Sequence, residues 1–189
     1  MGVDPGLTRC GVGIVRGGVG TPLELLGVGV IRTPSDLDHG ARLLRIHDGL
    51  EEWFDAHHPD AMAVERVFAQ HNRSTVAGTA QAMGLTQMIG ARHGVAVGVH
   101  TPSEVKAAIS GSGRADKAQV GLMVARVLHL EKPPTPADAA DAVALAITHI
   151  WRGGTQSRIE AAMAAQQHSP ARTWRQRSTP RTWQEHHLR

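Results

Sequence analysis

The sequence predicts an α/β domain on a mixed five-stranded sheet, three antiparallel strands followed by parallel ones, flanked by helices. Three observations predict it. Two β-rich runs, Cys10–Arg16 and Leu23–Arg32, are joined by Gly17-Gly18-Val19-Gly20, a hairpin signal. Further along, short apolar runs alternate with helical periodicity, the mark of parallel strands joined by helices. The chain has 189 residues, 41% of them hydrophobic, enough for one packed core without staples.

Each element follows in order. Met1–Asp4 is the end of a strand that breaks at the turn dipeptide Pro5-Gly6. The two β-rich runs supply the second and third strands. A helix from Ser35 to about His57 carries Ala41, Leu43, Leu44, Ile46, Leu50, Trp53 and Phe54 at helical spacing. Ala61–Phe68 is a short apolar run that suits a buried strand. Ser74 to about His93 is a helix of small and apolar residues, stopped by Gly94. Val95–His100 is the fifth strand, Pro102–Ile109 a short helix, Gly111–Arg114 a loop and Asp116–Leu130 a helix. Thr135 and Pro136 suit the N-cap and first position of a last helix, which is expected to end near Trp151. Residues 155–189 are rich in Gln, Ala, Ser, Pro and Arg. The expected division is a folded domain over 1–154 and a basic, disordered tail over 155–189.

Composition narrows the function classes. A single cysteine, Cys10, excludes an intrachain disulfide framework and a cysteine-based zinc finger. No stretch approaches 18 apolar residues, so no membrane span is expected. The N-terminus lacks the basic and apolar regions of a signal peptide, so a reducing, cytoplasmic setting is expected. The net charge of +3 is uneven: residues 151–189 carry +5 and residues 1–150 carry −2. The basic segment points to a polyanion partner, while the body is slightly acidic. Of the twelve histidines, the adjacent pairs His57-His58 and His186-His187 lack helical ligand spacing and read as solvated.

Four acids stand where a plain core would not put them. Asp4 ends the first strand, where a turn-forming role is the structural alternative. Glu65 interrupts an apolar strand. Asp138 falls third in the last helix, where a capping box would also explain it. Asp141 has no such role; it precedes Ala142–Ile147, a run apolar on every face, and projects on the same side as Asp138. Two like charges about 4 Å apart repel by about 4 kcal/mol at an effective dielectric near 20. Hard divalent cations remove that cost, and Mg²⁺ held by a few carboxylates suits phosphodiester chemistry.

Five segments together resemble one family. Gly2–Gly6, Val64–Phe68, Thr101–Lys106, Ala115–Lys117 and Ala137–Ile147 occur in the order and character of the RuvC crossover junction endonucleases, the Holliday junction resolvases. The resemblance covers residues 1 to about 152. It implies an RNase H-like fold. It implies that Asp4, Glu65, Asp138 and Asp141 are the metal-binding catalytic acids, with two Mg²⁺ per active site and Mn²⁺ as a substitute. Lys106 and Lys117 match lysines near the scissile phosphate, and Phe68 matches an aromatic residue near the junction centre. Phe68 also suits core packing. Arg73 and Arg114 lie in loops that suit backbone contacts.

The resemblance further implies a homodimer acting on four-way junction DNA. Paired symmetric nicks would serve recombination and repair, with RuvA and RuvB as branch-migration partners and no membrane association. Family members usually begin several residues earlier, so either the true start lies upstream of Met1 or the first strand is short. Asp4-Pro-Gly6-Leu-Thr8 also fits the phosphate loop of actin-like ATPases and sugar kinases, but those enzymes need two domains and about twice this length. A non-catalytic junction-binding protein and a nuclease for other structured nucleic acids are the remaining rivals. Nicking of a four-way junction, compared with a linear duplex and an RNA hybrid, separates them.

Overall fold

The computed structural model describes the backbone of residues 1–67 and 73–166, and side chains within 1–67 and 76–153. Five strands are present: β1 (Gly2–Asp4), β2 (Arg9–Arg16), β3 (Glu24–Arg32), β4 (Met62–Glu65) and β5 (Val97–His100). They form one sheet in the order β3-β2-β1-β4-β5. β3, β2 and β1 pair antiparallel, whereas β1, β4 and β5 pair parallel. The mixed sheet predicted from the sequence is therefore the observed one. The hairpin between β2 and β3 uses Gly17 and Gly20 at φ 147° and 78°, a region that side chains other than glycine rarely adopt.

The helices divide between the two faces. α1 (His39–His57) and α2 (Arg73–His93) cover one face, where Val3, Cys10, Val12 and Ile14 from the strands pack against Ile46, Leu50, Phe54, Ala82 and Ile89. α3 (Pro102–Ser110), α4 (Lys117–Val127) and α5 (Ala137–Gln166) cover the other, with Ala63, Val105, Ile109, Val120, Val124, Val143 and Ile147 in its core. The strands obey the pleat: odd residues of β1 and even residues of β2 face the α1–α2 layer, and their neighbours face α5.

Helix starts are set by short polar signals. Asp38 caps α1 by accepting from the Ala41 amide at 2.9 Å, so this helix begins later than the expected Ser35. Thr101 and Glu104 form a capping box on α3, and Asp116 and Gln119 form one on α4. Each such cap contributes about 1 kcal/mol. These two caps also fix the starts of the helices that carry Lys106 and Lys117.

α5 differs from its expected span at both ends. It begins at Ala137, with the Ala139 and Ala140 amides both donating to the Pro136 carbonyl, so Pro136 precedes the helix. It continues to Gln166 instead of stopping near Trp151. The Ala- and Gln-rich composition of 155–166 favours that continuation once Gly153 and Gly154 are passed. The remainder of the expected tail, 167–189, lies outside the described residues. No helix among the described residues is long and apolar enough to cross a membrane.

Candidate active site

The site is built where α5 crosses the centre of the sheet. Three glycines let it come unusually close. A β-carbon on Gly2 would sit 2.1 Å from the Ala142 carbonyl oxygen, and one on Gly11 would sit 2.1 Å from the Asp138 carbonyl oxygen. One on Gly13 would meet Val143 at 2.7 Å. Only hydrogen fits in these gaps, so α5 lies with its backbone against β1 and β2. The small residues Ala139, Ala142 and Ala146 complete the contact and are buried.

That close approach delivers two acids to two others. Asp4 ends β1 opposite Gly11 of β2, on the face that α5 covers. On the other side of β1, the parallel register pairs Val3 with Val64, which puts Glu65 level with Asp4. Glu65 shares the face of Ala63, which packs in the α3–α5 core. The first turns of α5 then bring Asp138 and Asp141 over the C-terminal ends of these two strands.

Asp4, Glu65 and Asp141 line one cleft of about 220 Å³ together with Pro102, Val105, Lys106, Lys117, Val120 and Ala144. Asp138 stands beside it and pairs with the Arg9 guanidinium of β2. The Lys117 ammonium donates to the Asp141 carboxylate at 2.7 Å.

The electrostatics report how crowded the charge is. Burial, and then the negative charges of Glu65, Asp141 and Asp138, push the Asp4 carboxyl up to about 7, with Lys117 opposing the rise. Burial and Asp141 also raise Glu65, while Lys117 and Lys106 pull it back. The hydrogen bond to Asp141 raises Lys117, which therefore stays charged. Arg9, Lys106 and Lys117 thus offset part of the charge of four carboxylates, while burial and the remaining negative charge keep a proton on Asp4 near neutrality. The ligand chemistry is all oxygen, with no imidazole or thiolate lining the cleft. Such a set fits a hard divalent cation, which would supply the missing positive charge.

The remaining predicted residues are placed differently. Arg114 is exposed on the α3–α4 loop and does not line the cleft. The backbone of Arg73 opens α2 instead of lying in a loop, and its side chain is outside the described set. Phe68 lies outside the described residues altogether. The capping-box alternative for Asp138 is not what its carboxylate does, since it turns to Arg9. Arg9 is the residue that sequence reasoning missed. Its only local signal is a cation five positions after Asp4 in a β-rich run, and nothing local ties it to a residue 129 positions away.

Comparison with known proteins shows the family and the fold. A family model described as Crossover junction endodeoxyribonuclease RuvC matches residues 1–149. A protein of that name from Cutibacterium acnes is 71% identical over 185 residues, covering 98% of this chain and 91% of its own. One from Streptomyces griseus is 60% identical over 171 residues, covering 90% of this chain and 84% of its own. Among solved structures, T. thermophilus RuvC in complex with Holliday junction substrate superposes with a TM-score of 0.77 at 33% identity, covering 82% of this chain and 94% of that one. The yeast mitochondrial Holliday junction resolvase, at 10% identity and a TM-score of 0.57 over 87% of this chain and 84% of its own, shares the fold.

Proposed function

The chain belongs to the RuvC family of crossover junction endodeoxyribonucleases, and from that premise we propose that Asp4, Glu65, Asp138 and Asp141 are its catalytic, metal-binding acids. The reaction is hydrolysis of phosphodiester bonds in Holliday junctions during DNA recombination and repair, by paired symmetric nicks. The observation that carries the assignment of the site is the convergence of the four carboxylates, with burial and then the charges of Glu65, Asp141 and Asp138 holding a proton on Asp4 up to about pH 7.

Asp4, Glu65, Asp138 and Asp141 would hold two divalent ions, Mg²⁺ by the chemistry of the donors, with Mn²⁺ able to substitute. The chemistry such ions would supply there is activation of water and neutralisation of charge on the leaving 3′ oxygen. The chain's own residues do the rest. Arg9 orients the Asp138 carboxylate. Lys117, with its side chain 74% exposed, can exchange Asp141 for a phosphate oxygen of the substrate. Lys106 lines the same cleft and lowers the barrier that an acidic site presents to a polyanion. No side chain of the cleft is a nucleophile of the serine or cysteine type, and hydrolysis by water needs none. Arg73, Arg114 and Phe68 are proposed to contact the junction away from the scissile bond.

A four-way junction has two-fold symmetry, so a homodimer would set two such clefts on strands of like polarity. α2, with Met88 47% exposed, is the candidate interface. We further propose, from the family resemblance, a cytoplasmic enzyme acting with RuvA and RuvB.

The test is cleavage of a mobile synthetic junction with Mg²⁺, with both nicks mapped, in wild type and Asp141→Asn. Symmetric nicks by wild type, and junction binding without nicking by the variant, are expected. A wild type that binds junctions and never nicks them with Mg²⁺ or Mn²⁺ overturns the reading.

A further inference from the structure

On the face of the sheet opposite the catalytic carboxylates, α1 and the end of α2 bring together a second group of ligand-bearing side chains. His47, Glu51 and Asp55 recur every four residues on α1 and so share one stripe. His93 ends α2 and meets that stripe from the other helix. One donor atom from each of Glu51, Asp55 and His93 lies within 4.8 Å of the others. His93 Nε2 is 2.6 Å from one Glu51 oxygen, and His47 Nε2 is 3.7 Å from the other. That second oxygen, Oε1, is buried and accepts no hydrogen bond among the described residues. A buried carboxylate oxygen without a donor costs about 1–3 kcal/mol, which a cation would recover.

We propose that Glu51, Asp55 and His93, with water completing the shell, form a binding site for a borderline divalent cation of the zinc class. Donors about 2.1 Å from a tetrahedral zinc lie about 3.4 Å from one another. Glu51, Asp55 and His93 already present donors within 4.8 Å of one another, and the exposed Asp55 closes the remaining gap by rotating its side chain. Imidazole nitrogens select zinc over magnesium, so this site and the all-oxygen catalytic cleft sort different metals. The His93 ring is already stacked on Phe54, centroids 3.9 Å apart, which holds its orientation. Arg92 Nη1 approaches Glu51 at 3.6 Å, but its side chain is 65% exposed and swings to solvent when a cation arrives. The bound ion would clasp the end of α2 to α1.

The test uses the full chain, stripped with a chelator and titrated with Co²⁺ as a spectroscopic stand-in and with Zn²⁺ in thermal melts. One equivalent should give an intense visible band typical of a nitrogen-containing tetrahedral site, and Zn²⁺ should raise the melting temperature. His93→Gln and the exposed Asp55→Asn should each weaken binding at least tenfold, and Asp141→Asn should leave it intact. Mg²⁺-dependent junction nicking should persist in Asp55→Asn, which shows that variant to be folded. Absence of a stabilising equivalent, or binding that both α1–α2 variants keep, or binding that Asp141→Asn abolishes, overturns the proposal.

Discussion

Replacing Asp4 by asparagine in metal-free protein should stabilise it at pH 8 and leave its stability unchanged near pH 4. The folded carboxyl is pushed from 3.8 up to about 7, first by burial and then by Glu65, Asp141 and Asp138. In the unfolded chain it returns to the ordinary value. Between these two values the native state binds the extra proton, so stability falls as pH rises from about 4 to about 7. Above 7 the whole penalty is present. A shift of about three units at about 1.4 kcal/mol per unit gives an upper bound of about 4 kcal/mol. Asp4 is partly exposed, and screening reduces the expected gain to about 2 kcal/mol. Asparagine keeps the shape and removes the charge. The assay is urea unfolding of both proteins in chelator at pH 4, 6 and 8. A variant no more stable than wild type at pH 8, or equally stabilised at all three values, refutes the picture of a charge-strained cleft. The same variant should lose junction nicking.

Three other outcomes are expected. Lys117→Ala should slow nicking of a synthetic junction by one to two orders of magnitude, and the salt dependence of binding should become shallower by about one ion per site; an unchanged rate and slope remove Lys117 from the cleft. Gly11→Ala places a methyl 2.1 Å from the Asp138 carbonyl oxygen, with backbone on both sides. Its cost should be at least about 1–3 kcal/mol in unfolding experiments, with nicking lost even where the protein folds; full activity would mean that α5 need not lie so close. Arg9→Ala frees Asp138 and should lower the nicking rate while junction affinity changes little, as seen by comparing single-turnover rates with binding isotherms; an unaltered rate shows that the ion pair does not position Asp138.

Much of the fold was legible because it rests on local signals. The hairpin glycines, the alternation of β2 and the helical stripe of α1 each lie within one element. The start of α1 was missed by a few residues because Asp38, not Ser35, supplies the capping oxygen. The end of α5 was missed because the sequence from 155 onward is polar and lacks an apolar stripe, while its residues individually favour helix. Two of the acids stood out by themselves: Glu65 breaks an apolar strand, and Asp141 begins an all-apolar helical run. Asp138 had a capping alternative, which only its pairing with Arg9 removed.

The sequence by itself determined which elements form, their alternation, and which acids lack a structural role. Periodicity and capping are short-range, so they are written in neighbouring residues. Tertiary structure alone decided which groups meet. Asp4, Glu65 and Asp141 converge because β1 lies between β2 and β4 and because Gly2, Gly11 and Gly13 admit the backbone of α5. The partners of those acids, and the His93–Glu51 contact on the opposite face, join residues from separate elements. Such contacts follow from sheet order and helix packing, which no local pattern encodes.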